Sequence, residues 1–388
     1  MKKASVIFEY PPEADYQFQS ALAKFREKAP GFEIRPVCGF LRRYVPGGLH
    51  PARILNLVWM YILVPLHILL FRPSWILVRS APPGIQVWAS LWAVPFRIPT
   101  LAWIMDYHPE IEARTLGKYP WLHPLAGFLR MVDSLSLQQL AGVVTLDVAM
   151  KQALVSKVPG LPVLVHPTWD EYSLEQEANP SLASLPDSLA PHPLRLAYAG
   201  NLSMNHPLEP IGHVIRHYQG LYPGIPIRLL VVGTSSAGEA RFRKFAVDHG
   251  VEVEILPRLP FPVLRETLAK EGIHYGILLM EDRVAGLFSP SKFAGYLAAG
   301  IPLLYFGPPN TNADMICKEF GAGISIPSSP LPAQIEDTGR SLGDPDQLAS
   351  HKKAVPDASR YFANHNADTF VDAALSLLLP IEKPASTP

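Results

Sequence analysis

The chain has 388 residues, of which 48% are hydrophobic and 18% charged, so it can bury a sizeable core and is neither disordered nor a coiled coil. Its 34 basic and 34 acidic side chains balance, which argues against a general nucleic-acid binder, because such a protein needs a basic excess. The two cysteines, Cys38 and Cys317, form neither a disulfide framework nor a paired metal motif, so we expect a reducing compartment.

Strand and helix patterns alternate through the first 150 residues. Short apolar runs predict buried strands, and apolar residues at every third or fourth position predict amphipathic helices. The strands are predicted at Ala4–Phe8, Trp75–Arg79, Thr100–Met105 and Gly142–Leu146. The helices are predicted at Asp15–Lys28, Arg53–Phe71, Gly84–Val94 and Pro124–Leu140. This βαβ rhythm predicts a mostly parallel sheet with helices on both faces.

An acid-free stretch runs from Ile34 to Met105 and contains seven arginines and five of the seven tryptophans. Arginine mixed with tryptophan is the composition that an anionic lipid surface selects. Within this stretch, Ile54–Phe71 corresponds to about 27 Å of helix, which is barely a membrane span, and Asn56 and His67 interrupt its apolar character. We therefore predict a helix that docks on a membrane surface. The alternatives are a fully buried core helix and a true transmembrane span.

A second strand–helix alternation follows a proline-rich stretch at 173–194, which we predict to be a linker. The strands are predicted at Leu194–Ala199, Ile227–Val232, Val251–Leu256, Tyr275–Leu279 and Pro302–Phe306. The helices are predicted at Leu208–Gln219, Gly238–His249, Val263–Lys270, Pro290–Ala299 and Asn312–Phe320.

The two alternations predict an α/β protein with two doubly wound, Rossmann-like domains that face a cleft. We predict an acceptor-side and membrane-docking domain at 1–172 and a nucleotide-sugar-binding domain at 195–355. A helical segment at 356–388 is expected to pack back on the first domain. Ligands of open α/β sheets bind at the carboxyl ends of the strands, so we expect the functional residues there.

Two common nucleotide-binding fingerprints do not occur at these strand ends. The first predicted strand is followed by Glu9-Tyr10-Pro11-Pro12-Glu13, which contains no glycine. The loop from Gly233 to Gly238 has the wrong glycine spacing for a dinucleotide fold and lacks the Gly-Lys pair of a P-loop. The sequence therefore gives no support to an enzyme that transfers hydride or hydrolyses ATP.

The most informative local pattern lies near residue 290. Ser289 is a good N-cap, Pro290 suits the first helical position and Gly300 is typical of a helix end. The amino end of such a helix attracts phosphate, and Lys292 in its first turn opposes the helix dipole, which indicates that an anion is expected there. Two charges ~4 Å apart at an effective dielectric near 20 interact by about 4 kcal/mol. The alternative is a capped surface helix with a solvated lysine.

This segment resembles the donor-binding motif of GT-B glycosyltransferases, as in family 4 and the related dolichol-pathway β-1,4-mannosyltransferases. Gly286–Leu304 is similar to their G-L-x-x-P-x-K…G-x-P pattern, and Ile76–Gly84 resembles the strand and Pro-Pro turn of the mannosyltransferase group. Leu101–His108 resembles their strand that ends in D-x-H, and Tyr198–Asn201 is similar to the glycine turn of family 4. The order and spacing of these motifs agree over most of the chain.

The sequence also departs from the family 4 pattern. Phe288 and Gly295 occupy the places of its usual pair of glutamates. Ser203, Asn205 and His206 stand where an arginine and a lysine commonly follow the glycine turn. The resemblance therefore implies the fold and a nucleoside-diphosphate-sugar donor, linked to UDP or GDP, without naming the sugar.

The strand ends and the resemblance together give a set of candidate residues. The candidate catalytic residues are Asp106 and His108. In an inverting transfer one of them would take the proton of the acceptor hydroxyl, whereas in a retaining transfer His108 would contact the donor, and a structural Asp–His hydrogen bond is the alternative. The candidate donor-binding residues are Gly200, Asn201, Gly233, Arg258, Glu281, Ser289, Ser291 and Lys292. The resemblance implies no metal site and no tightly bound cofactor, because the helix dipole and the lysine take the metal's place.

The expected function is that of a hexosyltransferase that moves a sugar from a UDP- or GDP-linked donor to a lipid-linked or glycan acceptor, in polysaccharide or glycolipid biosynthesis. We expect a peripheral, monotopic protein on the cytoplasmic face of the membrane, held by Ile54–Phe71 and its flanking arginines. Its partners would be the nucleotide sugar, the acceptor and the membrane surface, without nucleic acid. A sugar-nucleotide 2-epimerase of the same fold and a membrane-docked scaffold with a degenerate donor site are the alternatives.

Overall fold

The computed structural model describes residues 1–42, 50–169, 193–203 and 206–379. These residues divide into two compact units. The first unit comprises Met1–Leu174, Gly286–Ser289 and Asn364–Pro388, and the second comprises Glu175–Ala285 and Pro290–Ala363. The predicted linker at 173–194 lies outside the described residues except for Pro193 and Leu194.

The first unit contains a six-stranded sheet in which every strand is parallel to its neighbours. Its strands are β1 (Lys2–Phe8), β2 (Phe32–Cys38), β3 (Trp75–Arg79), β4 (Thr100–Ile104), β5 (Gly142–Thr145) and β6 (Val163–Val165). The spatial order is β2-β1-β3-β4-β5-β6, so the order reverses between β1 and β3. Such a reversal is where open α/β sheets leave a crevice for ligands.

Helices cover both faces of this sheet. They are α1 (Tyr16–Lys28), α2 (Pro51–Phe71), α3 (Ile85–Ala93), α4 (Glu110–Leu116), α5 (His123–Leu137), α6 (Val148–Lys157) and α14 (Ala367–Leu378). Successive strand residues point to opposite faces, so Trp75 and Leu77 pack with α1 and α14, whereas Ile76 and Val78 pack with α2 and α3. Burial on both faces explains why these strands are continuous apolar runs.

The second unit repeats the architecture with its own six-stranded parallel sheet. Its strands are β7 (Leu194–Ala199), β8 (Ile227–Val232), β9 (Glu252–Leu256), β10 (Tyr275–Leu279), β11 (Leu303–Phe306) and β12 (Gly323–Ile326). The spatial order β12-β11-β10-β7-β8-β9 reverses between β10 and β7. Its helices are α7 (Glu209–Leu221), α8 (Ser236–His249), α9 (Phe261–Lys270), α10 (Phe293–Ala298), α11 (Asn312–Lys318), α12 (Pro332–Leu342) and α13 (Pro345–Ala363).

The predicted architecture agrees with these elements, but the sequence pattern missed the short and polar ones. The sequence pattern predicted no strand at β2, β6 or β12 and no helix at α4, α6 or α12. The segment predicted at 356–388 also differs. Its residues up to Ala363 complete α13 in the second unit, and α14, after Asn364, belongs to the first unit. Pro356 lies inside α13 and does not begin a new element.

The C-terminal helix α14 is part of the first unit's core. Phe370 is fully buried, with its ring centroid 4.4 Å from that of Trp103 and 5.1 Å from that of Trp169. Lys28 of α1 adds ion pairs to Asp368 and Asp372 at 2.8 and 2.7 Å, but these acids are exposed and contribute little. The hydrophobic contact therefore attaches this helix.

Replacing Phe370 with alanine is expected to destabilise the first unit by about 3–5 kcal/mol, because it removes a buried aromatic ring and leaves a cavity. Urea unfolding measures the effect. The control Ser376→Ala changes an exposed position on the same helix and is expected to stay within about 0.5 kcal/mol of the wild type. Equal stabilities of the two variants would contradict the packing described here.

Candidate functional site

The reversal of strand order in the second unit gathers several predicted donor-binding residues at one sheet edge. The turn after β7 contains Gly200 and Asn201, and the amide of Gly200 donates to the carbonyl of Val232 at the end of β8 (2.7 Å). The amide of Ser235, which caps α8, donates to the Asn201 side chain (3.1 Å). The strand ends and the start of α8 are thus held together by the residues of this turn.

Lys292 extends over this turn and finds only neutral partners. Its ammonium donates to the hydroxyl of Tyr198 (2.7 Å) and to the carbonyl of Asn201 (2.9 Å), and it lies 4.6 Å from the centroid of the Tyr198 ring. None of the described acidic residues forms an ion pair with it. Burial lowers the pKa of Lys292 to about 8. Within the part of the chain that the structure describes, this cation therefore has no counter-charge.

Glycine is required at position 200 for two reasons. The backbone has φ = +118°, which side chains other than glycine rarely adopt. A Cβ atom there would also lie 2.7 Å from Cε of Lys292. Any side chain at this position would displace the lysine, so the glycine keeps the ammonium close to the backbone of the turn.

The remaining predicted donor-binding residues lie at or near the same edge. Gly233 follows β8 with φ = +75°, and a Cβ there would lie 3.4 Å from the Cα of Arg258, which is exposed after β9. Glu281 follows β10 and forms an ion pair with Arg283. Ser291 is exposed immediately before α10.

The structure corrects the predicted helix near residue 290. The observed helix α10 begins at Phe293, its N-cap is Lys292 without a side-chain capping bond, and it has only six residues. Ser289 does not cap it, because the Ser289 side chain hydrogen-bonds to the buried Asp147 in the first unit. The anion-binding argument therefore depends on the Lys292 ammonium and not on the dipole of this short helix.

Two basic residues that sequence reasoning did not assign support the turn after β7. Nδ1 of His206 accepts from the amide of Ser203 (3.1 Å) and lies 2.9 Å from the Tyr198 hydroxyl. Arg241 of α8 donates to the carbonyls of Ser203 and His206 at 2.9 and 3.0 Å. Burial, with the charges of Lys292 and Arg241, lowers the pKa of His206 to about 3, so this imidazole is neutral. Asn205, which the sequence also placed here, lies outside the described residues.

The predicted catalytic residues Asp106 and His108 follow β4 in the first unit. Asp106 pairs by a backbone bridge with Phe288, and the amide of Tyr107 donates to the carbonyl of Leu287 (2.7 Å). Asp106 is exposed at its surface, yet partial desolvation still raises its pKa against the opposing effect of His108. The two side chains belong to one loop, but they do not hydrogen-bond to each other.

A buried network anchors this loop through the residue between them. The hydroxyl of Tyr107 donates to Asp133 of α5 (2.8 Å), and Lys157 of α6 contacts the same carboxylate at 2.6 Å. Tyr107 and Asp133 are only 2% and 1% exposed. Removing either partner would leave a buried polar group unsatisfied, so the network fixes the backbone that carries Asp106 and His108.

His108 is held at both its side chain and its backbone. Its Nδ1 lies 2.5 Å from Oε1 of Glu112, one turn along on α4, and the buried Gln86 side chain donates to its carbonyl. Sequence reasoning missed Glu112 because no helix was predicted at α4, although the four-residue spacing from His108 would have revealed the pair.

The predicted membrane helix α2 has its polar residues on the inside. Asn56 accepts from the amides of Phe40 and Leu41 (2.8 and 3.4 Å), and His67 hydrogen-bonds to Ser5 (2.7 Å) within the core. Burial lowers the pKa of His67 to about 4, so it is neutral. The outward side is apolar and exposed at Ile54, Leu55, Val58, Trp59, Ile62, Leu66, Leu69 and Leu70. By length and composition α2 could cross a membrane, but a third of its most apolar window is buried in the protein.

Neighbouring helices extend this apolar surface. Trp88 of α3 donates to the carbonyl of Tyr61 of α2 (2.8 Å), and Ser90 of α3 hydrogen-bonds to Ser136 of α5 (2.7 Å), so the three helices lie side by side. The exposed large apolar residues near or on α3 and α5 are Leu91, Val94, Tyr119, Trp121, Leu125, Phe128, Met131 and Leu135. We call these residues, together with the outward residues of α2, the apolar face.

Comparison with known proteins gives the fold but no family. No family model and no curated protein matches the sequence. The lipopolysaccharide outer core galactosyltransferase WaaB in its apo form matches with a TM-score of 0.60 at 12% identity, over 97% of this chain and 99% of that one. Anabaena Alr3699/HepE in complex with UDP-glucose matches with a TM-score of 0.57 at 11% identity, over 97% and 100%. A UDP-N-acetylglucosamine 2-epimerase described as putative, from Listeria monocytogenes, matches with a TM-score of 0.51 at 13% identity, over 99% and 98%.

These likenesses extend over whole chains and confirm the predicted fold, with two Rossmann-like domains of the GT-B type. At 11–13% identity they show the fold alone, because glycosyltransferases and an epimerase share it. The function must therefore be argued from the residues.

Replacing Lys292 with methionine is expected to stabilise the protein at pH 7. The folded-state pKa, about 8, is below the ordinary value of 10.5, so below pH 8 folding carries the full cost of a desolvated charge. Between pH 8 and 10.5 the unfolded chain binds more protons, so this cost fades as the pH rises. Thermal unfolding is measured for the variant and the wild type at pH 7 and pH 10. The melting temperature of the variant should exceed that of the wild type at pH 7, and the difference should be smaller at pH 10.

The matched control is Lys270→Met, because the Lys270 side chain is 72% exposed and pairs with Glu266. We expect it to show no such pH-dependent gain. A Lys292→Met variant that is less stable than the wild type at pH 7 would show that the lysine is a structural contact.

Proposed function

We propose that the protein is a glycosyltransferase that binds a nucleoside-diphosphate sugar on its second unit and holds the acceptor on its first. The single observation that supports this most strongly is Lys292, a half-buried cation with neutral partners beside Gly200, where the strand order of the sheet reverses. A diphosphate is the anion of the right charge for such a position, and it becomes the leaving group when the sugar is transferred.

Each donor-binding residue has a role that suits its chemistry. Lys292 would neutralise the charge that develops on the departing diphosphate, and Gly200 would let the phosphates approach the backbone. The turn residue Asn201 would present its backbone amide, and Gly233, which has no side chain, would let the donor approach the backbone. Arg258 would contact the nucleobase or a phosphate, and Glu281 would accept from sugar hydroxyls. Ser291 would meet the phosphates, whereas Ser289 would position the loop through Asp147. The donor would be linked to UDP or GDP, and one protein of the same fold is described in complex with UDP-glucose.

On the acceptor side, Asp106 and His108 are the groups able to take a proton from an attacking hydroxyl. Both lie on a loop that Tyr107 anchors through Asp133, so their positions do not depend on solvent-exposed contacts. A fixed loop is what proton transfer at short range requires.

The apolar face supports an acceptor that resides in a membrane. Each large apolar side chain transferred from water is worth roughly 1.5–3 kcal/mol, so partial insertion of even a few of them gives appreciable binding. Two exposed arginines, Arg72 directly after α2 and Arg97 shortly after α3, suit anionic headgroups. We propose a monotopic protein at the cytoplasmic membrane face, with a lipid-linked acceptor.

A hydrolysing sugar-nucleotide 2-epimerase is the second candidate, since one such protein shares the fold. The apolar face favours the transferase, because a reaction on a soluble nucleotide sugar needs no membrane surface. Incubation with UDP-N-acetylglucosamine and no acceptor separates the two, because only the epimerase would produce the 2-epimer.

Replacing Lys292 with alanine is expected to weaken donor binding or lower kcat by roughly ten- to a thousandfold. Isothermal titration with UDP and with GDP measures the binding. Wild-type affinity should fall as the pH rises through about 8, because the ammonium loses its proton, and the variant should lose this dependence.

The matched control for the donor site is Lys244→Ala, an exposed lysine on α8 that is expected to leave binding unchanged. Equal affinity in the Lys292 variant and the wild type would remove the donor-site assignment. No binding of either nucleotide by the wild type would favour the scaffold alternative.

Replacing Trp59, Leu66 and Leu70 together with glutamine is expected to abolish co-flotation with vesicles that contain phosphatidylglycerol. The matched control replaces Val247, Val263 and Leu331, three exposed apolar residues of the second unit, with glutamine and should still float. A wild-type protein that stays at the bottom of the gradient would contradict membrane docking.

A further inference from the structure

The loop after β4 offers two candidate bases, and only one of them has an orienting partner. His108 Nδ1 lies 2.5 Å from Oε1 of Glu112, while Asp106 has no side-chain hydrogen bond to any other described residue. An imidazole with a carboxylate at one nitrogen is fixed in both ring orientation and tautomer.

The tautomer follows from the partner. An ionised carboxylate can only accept a hydrogen bond, so the proton of the neutral imidazole lies on Nδ1. Nε2 then carries the free lone pair and is the atom able to take a proton. Without Glu112, the imidazole would be free to hold its proton on Nε2, and that nitrogen could then no longer accept a proton from the acceptor hydroxyl.

One further contact restricts His108, and its partner Glu112 makes no competing hydrogen bond within the described part of the chain. The side chain of Gln86, which is 2% exposed, donates to the His108 carbonyl and fixes the backbone. The second carboxylate oxygen of Glu112, Oε2, is buried and has no hydrogen-bond partner among the described residues. Among the described residues, the His108 ring is therefore the one hydrogen-bond partner of the Glu112 carboxylate.

From this geometry we propose that His108 is the base of the transfer and that Glu112 is its positioning residue. The inference rests on the proposed function and specifies its acceptor side. Nε2 of His108 takes the proton of the acceptor hydroxyl as that oxygen bonds to the anomeric carbon of the donor sugar. The bond from this carbon to the diphosphate oxygen breaks, and its electron pair leaves with the nucleoside diphosphate.

The tautomer is tested first, because it needs no substrate. In protein labelled with ¹⁵N-histidine, long-range proton–nitrogen NMR spectra of the wild type are expected to show His108 protonated on Nδ1. Glu112→Ala is expected to lose this preference, and Glu112→Gln, which keeps an acceptor oxygen, to retain part of it. A wild-type His108 protonated on Nε2 would overturn the proposal.

Kinetic measurements then distinguish a positioning role of Glu112 from a merely structural one. The assay measures release of nucleoside diphosphate from UDP-glucose and from GDP-mannose, with vesicles of a total membrane lipid extract. We expect Glu112→Gln to lower kcat by roughly 10–100-fold with an unchanged donor KM, and Glu112→Ala to lower it further. His108→Ala is expected to lower kcat by roughly 10²–10⁴-fold. Because Glu112 acts through His108, the double variant should be no slower than His108→Ala alone.

The matched control is Glu27→Gln, which removes an exposed acid paired with Lys24 in the same unit and should leave kcat unchanged. Additive losses in the double variant, a raised donor KM with normal kcat, or a product that retains the donor's anomeric configuration would each overturn the proposal. A wild type that turns over while both the Glu112 and His108 variants remain fully active refutes this inference alone. A wild type that binds no nucleotide and releases none refutes the proposed function and, with it, the base assignment.

Discussion

The parallel direction of all strands within each sheet determines where polar chemistry can collect in this protein. Parallel sheets are covered by helices on both faces, so the central strands, such as β3, β4 and β10, are buried and apolar along most of their length. Functional side chains must therefore follow the strands, at their carboxyl ends. The turn after β7 carries Gly200 and Asn201, and the loop after β4 carries Asp106 and His108. One constraint on strand direction thus locates both the donor-side and the acceptor-side groups.

At the proposed donor side, the desolvation of Lys292 strengthens its interaction with an anion but lowers the stability of the fold. Lys292 is desolvated without a counter-charge among the described residues, and the neighbouring His206 is kept neutral by burial and by two nearby cations. A fully solvated lysine would be more favourable for folding, but it would interact less strongly with a phosphate because water screens the charge. Under the proposed function, binding of an anion would recover the energy lost in folding, as is common for residues of active sites.

Helix α2 shows why hydrophobic pattern alone does not decide what surrounds a helix. Its composition fits a membrane span, a core helix and a surface-docked helix equally well. Tertiary contacts set the orientation of the helix, because Asn56 and His67 satisfy their hydrogen bonds within the core and so direct the apolar side outwards. A helix with its polar residues inside and leucines outside is unfavourable in water, and a lipid surface removes that cost.

The sequence by itself determined the α/β class, the βαβ order and the strands with continuous apolar runs, since burial on both faces imposes that pattern. It also identified Lys292 and the strand ends near Gly200 and His108. It placed the start of α10 too early, because the Ser289 hydroxyl is bonded to Asp147, far away in the chain. Only the tertiary structure decided the partners of these groups, such as Tyr198 for the lysine. The local sequence pattern indicates which residues are buried and the period at which they recur. A hydrogen bond between distant segments depends instead on how the whole chain folds.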